Sequence, residues 1–149
     1  MEKIELHPDF KDFLKLMNSH GVKYMLVGGY AVGYHGYPRA TGDMDIWIAV
    51  NEENAARTAS ALIEFGMPET EVTSEVFMEA DKIIRMGRPP VRIELITGAT
   101  GVDFDKCFAR RDTLQIDDVT VPVISLDDLK QNKKAAARHK DLDDLEHLP

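Results

Sequence analysis

Cysteine is nearly absent from this chain of 149 residues: Cys107 stands alone. A lone cysteine excludes an intrachain disulfide and any metal site built only from thiolates. It suits a reducing compartment. Long apolar runs are missing too, and none approaches the length that spans a bilayer. The N-terminal stretch MEKIELHPDF carries no apolar signal core. A cytoplasmic location without membrane association is therefore expected. Positive charge is in short supply, with 18 Lys and Arg against 26 Asp and Glu and a net charge of −8. An acidic chain binds nucleic acid or anionic lipid poorly without a local basic patch, so nucleic acid is a disfavoured partner. No GxxxxGK[ST] phosphate loop occurs, and no nucleophile elbow marks a serine hydrolase. The five histidines, His7, His20, His35, His139 and His147, show no zinc-ligand spacing. Repeats, low-complexity tracts and linkers are also lacking. A chain of this length with 44% hydrophobic residues can bury one real core, so a single domain over 1–149 is expected.

What is present centres on VGGYAVGYHGYPRATGDMDIWI, from Val27 to Ile48. The pair Gly28-Gly29 follows a short apolar run, and Asp43-Met44-Asp45 opens the next one. Residues two apart on a strand point to the same side, so Asp43 and Asp45 project together. Two convergent carboxylates at a strand start are costly unless water or a cation neutralises them. Oxygen ligands at this spacing suit Mg²⁺, which binds through one or two carboxylates plus substrate phosphates. A glycine turn allows a phosphate to approach the backbone closely. The two features together point to phosphoryl or nucleotidyl transfer. The alternatives are a tight turn needing positive φ and a solvated strand end. The latter fits poorly with Ile46-Trp47-Ile48 continuing at once into a core strand.

Around this stretch the pattern alternates. Helical spacing covers 9–20 and a buried strand 23–27, followed by a turn and short helix within 28–36 and a loop over 37–42. A strand is expected over 43–50 and a helix over 52–65, capped by Asn51 and closed by Gly66. The segment 67–80 is ambiguous between loop, strand and short helix. Paired strands follow at 82–86 and 91–97. A short helix covers 103–110, where Asp103 is better read as an N-cap than as half of a second Asp-x-Asp. A hairpin joins 114–116 to 119–123. Helices are expected from 126 to about 137, behind a capping pair Ser125 and Asp128, and from about 140 to 148 with Leu142, Leu145 and Leu148 as its stripe. The fold class is α+β, an α/β sandwich of one mixed sheet packed against helices, with a C-terminal helical segment.

The Gly-Gly…Asp-x-Asp pattern resembles the nucleotidyltransferase superfamily, the DNA polymerase β-like fold. It is most similar to the minimal single-domain branch of AbiEii-like and antitoxin-type members. The resemblance covers a core of about 23–97, and the tail at about 126–148 also looks like those relatives. It implies that Gly28 and Gly29 cradle a triphosphate, with Gly29 beginning a helix whose amides favour anions. It implies that Asp43 and Asp45 bind Mg²⁺, with one or two ions, on an incoming NTP. It implies a third carboxylate at Glu94, an acid in the middle of the apolar strand Arg92-Ile93-Glu94-Leu95-Ile96, as metal ligand or proton acceptor. Relatives usually carry Asp there, and the alternative for Glu94 is a salt bridge to Arg92 or Arg85. The loop pattern Arg-x-Thr-x-Asp-x-Asp is shared too. It offers Arg39 as a phosphate contact and Thr41 as the residue aiming Asp43, against a solvated cation and a turn hydroxyl. By the same resemblance, Lys130 contacts phosphate and Asp141 supports the nucleotide pocket, while Lys133, Lys134 and Lys140 are at least as well read as a solvated basic face. The activity implied is Mg²⁺-dependent transfer of NMP from an NTP to a hydroxyl of a protein, an RNA or a small molecule. A partner toxin is the expected macromolecular partner, and a homo-oligomer could complete the pocket. The competing reading is a catalytically weak antitoxin that acts by binding.

Overall fold

The computed structural model describes residues 6–38, 42–88 and 91–149. Among these, six strands form one mixed sheet: β1 Tyr24–Val27, β2 Asp43–Ile48, β3 Ile83–Arg88, β4 Val91–Ile96, β5 Asp112–Ile116 and β6 Val119–Val123. Their spatial order is β3-β4-β2-β1-β6-β5. β2 runs antiparallel to β1 and parallel to β4, and β1 runs parallel to β6. The outer pairs β3–β4 and β5–β6 are antiparallel hairpins. Six α-helices accompany the sheet: α1 Pro8–Ser19, α2 Gly28–Tyr34, α3 Glu52–Phe65, α4 Phe104–Ala109, α5 Leu126–Ala136 and α6 His139–His147. This is the α+β layout expected from the alternation of strand and helix periods.

The pleat of β2 separates core from site. Met44, Ile46 and Ile48 share one face and are fully buried. Asp43, Asp45 and Trp47 share the other. α1 and α3 pack against each other, with Phe13 edge-on to Phe65 at 5.1 Å between ring centres. On the Asp face, Trp47 meets Phe104 of α4 edge-on at 5.2 Å, which accounts for its burial as a core residue. α5 and α6 contact each other and cover the acidic end of this face.

Several element boundaries differ from expectation for local reasons. β2 ends at Ile48 rather than 50, because its partner β1 begins only at Tyr24, opposite Ile48. β3 runs on to Arg88, past the expected 86, because its pairing with β4 continues through Gly87–Arg92 and Arg88–Val91, with Gly87 at φ +80°. A Cβ at Gly87 would lie 2.3 Å from the Val91 carbonyl oxygen. The ambiguous segment 67–80 contains one 3₁₀ turn, Ser74–Met78, which buries Phe77. In α6 the expected leucine stripe is displaced. Asp141, Asp144 and Leu148 are buried, while Leu142 is exposed.

Asn54 gives the fold a polar clamp that hydrophobic periodicity does not reveal. Its side chain accepts from the Lys23 amide at 2.7 Å and donates to the carbonyls of Lys23 at 3.1 Å and Ala49 at 2.8 Å. These bonds tie the start of α3 to both chain ends where β1 and β2 meet. Replacing Asn54 with Ala leaves buried backbone groups without partners, at about 1–3 kcal/mol each. Asn54→Ala is expected to destabilise the fold by roughly 2–4 kcal/mol in urea unfolding.

Candidate functional site

Backbone register assembles the acidic cluster. In the parallel pair β2–β4, Asp43 lies opposite Arg92 and Asp45 opposite Glu94. In β1–β2, Val27 lies opposite Asp45. The chain leaves β1 at Gly28 with φ +65°, and a Cβ there would come within 2.0 Å of Asp45 Oδ2. Glycine at this position is thus required twice, by backbone conformation and by the approach of the carboxylate. Gly29 is buried in the first turn of α2 and does not line the cavity beside Gly28.

The three carboxylates have unlike environments. Asp43 accepts both bonds of the Arg92 fork, at 2.7 and 2.8 Å, and this pairing holds its carboxyl below the ordinary range. Glu94, whose side chain is 16% exposed, accepts one bond from Arg85 at 2.8 Å and lies 3.9 Å from Arg92. Asp45 has no arginine bonded to it, and its Oδ1 is buried without a hydrogen-bond partner among the described residues. Burial first, then the charge of Glu94, pushes the Asp45 carboxyl up to about 7. An acid held so far from its ordinary range in a cleft is a marker of function.

Above Asp45 and Glu94 opens a cavity of about 510 Å³. Gly28 and Val27 form its floor, Ile83 and Ile96 an apolar wall, and residues of α5 and the α5–α6 turn its roof. The roof is basic, with Lys133, Arg138 and Lys140. Lys133 is 4% exposed and pairs with Asp141 at 3.1 Å and Asp144 at 3.0 Å. Arg138 also pairs with Asp141, at 2.7 Å. Burial raises the Asp141 carboxyl, but its bonds to Arg138 and Lys133 outweigh burial and leave it below the ordinary range. Lys140 is exposed and has no ion pair among the described residues, and its charge reaches both Asp43 and Asp45.

The residues singled out in the sequence therefore separate into groups. Gly28, Asp45 and Glu94 meet in the cavity, with Asp43 beside them on β2. Asp141 stands behind the roof, holding Lys133 and Arg138. Lys130 is not brought to the cavity, and its ammonium bonds the Pro149 carbonyl instead. Arg39 and Thr41 lie outside the described residues. His35 is tucked against the Ile124 carbonyl at 2.7 Å, away from the cleft. Asp103 caps α4 by accepting from the Lys106 amide. Among the described residues no three His, Cys, Asp or Glu side chains converge closely enough to hold a metal ion. Arginine occupies two of the three carboxylates that would do so.

Sequence reasoning missed the importance of Lys133. The signal was present: Leu126, Leu129 and Lys133 fall at helical spacing on one stripe, and a cation on an apolar stripe implies a buried partner. The pairing of Arg92 with Asp43 was equally hidden, since it depends on which strands are neighbours.

Comparison with solved structures places this arrangement. A candidate nucleotidyltransferase from Thermotoga maritima superposes with a TM-score of 0.60 at 14% identity, over 95% of this chain and 93% of that one. An antigenic nucleotidyltransferase-like protein from Paracoccidioides brasiliensis superposes with a TM-score of 0.54 at 18% identity, over 93% of this chain and 73% of that one. The fold is a nucleotidyltransferase fold. No protein-family profile and no curated protein sequence matches the chain. Within the nucleotidyltransferase fold as built here, β2 and β4 supply the acids, and the β1–α2 junction supplies the close backbone approach.

Two outcomes follow from the charges. Folded Asp45 keeps a proton between pH 3.8 and about 7 that the unfolded chain releases. The folded state thus binds more protons in that window, and stability falls as pH rises through it. Asp45→Asn removes this loss, so the variant melts higher than the wild type at pH 8, by a margin on the order of 1–3 kcal/mol, and no higher near pH 4. Lys133→Met leaves Asp144 and Asp141 buried without that cation. It is expected to cost about 3–5 kcal/mol, read by thermal or denaturant unfolding.

Proposed function

We propose that this chain is a Mg²⁺-dependent nucleotidyltransferase that moves NMP from an NTP to a hydroxyl acceptor. The observation that carries this reading is the buried, unbonded oxygen of Asp45, set beside Glu94 and hard against Gly28 beneath a basic roof. An orphaned carboxylate oxygen in a polar cleft is costly by itself and suits a cation. Asp45 and Glu94, which face the cavity, would hold Mg²⁺ through two carboxylates together with the NTP phosphates, while Asp43 beside them is paired with Arg92. When bound, the ion polarises the α-phosphate and offsets charge on the departing pyrophosphate.

The chain's own residues account for the rest. Gly28 lets the triphosphate lie against the backbone, since no side chain intervenes. Lys140 and Arg138 face the phosphates from the roof, while the Lys133–Asp141–Asp144 cluster keeps that roof in place. Ile83 and Ile96 offer an apolar surface for the nucleobase. The acceptor oxygen attacks the α-phosphorus in line. The new P–O bond forms as the bond to the β-phosphate oxygen breaks, and pyrophosphate leaves with the electron pair. The hydroxyl proton passes to the Glu94 carboxylate. Positioning and electrostatics supply the catalysis.

A second reading has one observation in its favour. Arg92 and Arg85 already neutralise Asp43 and Glu94, as in a site that binds without turnover. In that reading the chain is an antitoxin-type protein that binds a partner toxin, alone or as a homo-oligomer.

Thermal-shift titration with each of the four NTPs, with and without Mg²⁺, tests the first step that the transferase reading requires, binding of the donor. A ligand confined to the folded state stabilises it by about 2.7 kcal/mol at a hundredfold excess over Kd. The expected result is a Mg²⁺-dependent rise of several degrees with at least one NTP, abolished in Asp45→Asn. No shift with any NTP at millimolar concentration sinks the transferase reading and favours the binding protein.

A further inference from the structure

The three carboxylates are not equally available to a cation. Asp43 is held by both arms of the Arg92 guanidinium, in the planar two-bond geometry that is the strongest arginine–carboxylate contact. The two residues lie opposite each other in the parallel register of β2 and β4, and Arg92 is paired on its other side with Gly87 of β3. Glu94 is held differently. Arg85 gives it a single bond, and Arg85 sits on the edge strand β3 with most of its side chain exposed. That contact is a soft one, and a cation entering the cleft can displace it. Asp45 has one oxygen with no partner among the described residues. The chain thus offers two acids to a metal and withholds the third.

We propose that Arg92 is a built-in counter-cation for Asp43, standing where a second metal ion would otherwise be held, so that the site takes one divalent cation on Asp45 and Glu94. This inference rests on the reading of the cleft as a metal–nucleotide site and sharpens it. Arg92 is a positioning residue here: it acts on Asp43, and through Asp43 on how many ions the cleft accepts. Its guanidinium also lies 3.9 Å from Glu94, so it stands between Asp43 and Glu94 and blocks an ion from bridging that pair.

The probe is Mn²⁺ alone, titrated to millimolar concentration into the intact chain. Bound ions are counted by loss of the free-ion electron paramagnetic resonance signal. Wild type is expected to hold one ion and Arg92→Gln two. Any other pair of counts overturns the proposal, and zero on both proteins removes the cation from the proposed function as well. Arg92→Gln places Asp43 and Asp45 together without the arginine, and this variant could lose its fold. Asp43→Asn provides an independent check, because it leaves β2 uncharged at that position. One ion retained with affinity within threefold of wild type supports the proposal. Loss of that ion, or a tenfold weaker one, shows Asp43 to be a ligand and overturns it. Asp45→Asn serves as the positive control for loss. The nucleotide titration described above is scored separately. An NTP shift with two ions on wild type therefore rejects the arginine assignment and keeps the transferase.

Discussion

The register between β2 and β4 is the constraint on which the rest depends. Its five aligned pairs run from Asp43 with Arg92 to Trp47 with Ile96. A slip of one residue would reverse every side chain on β2. Met44 and Ile46 would then face the cleft, and Asp45 would enter the core. The buried apolar residues on one face therefore fix the placement of the acids on the other. The site needs no separate device to aim its carboxylates, because the core already aims them. Parallel pairing also sets like against like at Asp45 and Glu94, and unlike at Asp43 and Arg92. Repulsion and attraction are built two residues apart on the same strands.

The roof solves a different problem. α5 and α6 are short and strongly polar, and neither has a broad apolar face with which to grip the sheet. The Lys133–Asp141–Asp144 cluster, joined by Arg138, binds them together through charge instead. A buried ion set of this kind adds little net stability over an apolar core, but removing one member is severe. What it provides is a defined geometry for the turn that presents Arg138 and Lys140 to the cavity. The turn itself needs Ala137 in the left-handed region, at φ +53°, with its amide bonded to the Lys133 carbonyl. Lys133 thus closes the turn through its backbone and anchors it through its side chain.

Much of this was legible in the sequence, and the limits have physical causes. The Gly-Gly turn, the Asp-x-Asp strand and the acid within β4 could be read because strand periodicity and chain order are local properties. The helix Glu52–Phe65 was bounded correctly by Asn51 and Gly66, which act within one turn of themselves. Contacts set by strand order were not legible. Arg92 was considered as a partner for Glu94, two residues away, whereas its stronger bonds go to Asp43, across the sheet. α6 misled for a related reason. Its leucines suggested the buried stripe, but Asp141 and Asp144 are drawn inward by a lysine on another helix. Charge pairing overrode hydrophobic periodicity, and no window confined to residues 139–147 contains that lysine.

The sheet's central seam carries a consequence for the order in which the molecule takes shape. β1 is joined on one side to β2, a near neighbour in sequence, and on the other to β6 through Leu26 and Val123. As the chain leaves the ribosome, β1 to β4 can pair while β6 is still to be made. Until it arrives, β1 is an open sheet edge, and the acidic cleft has neither α5 nor α6 above it. Distant pairings of this sort slow folding, since a long loop must close before its contacts form. Bare strand edges on such intermediates recruit other chains. The acids of the floor are thus in place early and the basic residues of the roof come last. For that interval the nascent molecule presents its carboxylates to solvent, where water can solvate Asp45 until the roof closes over it.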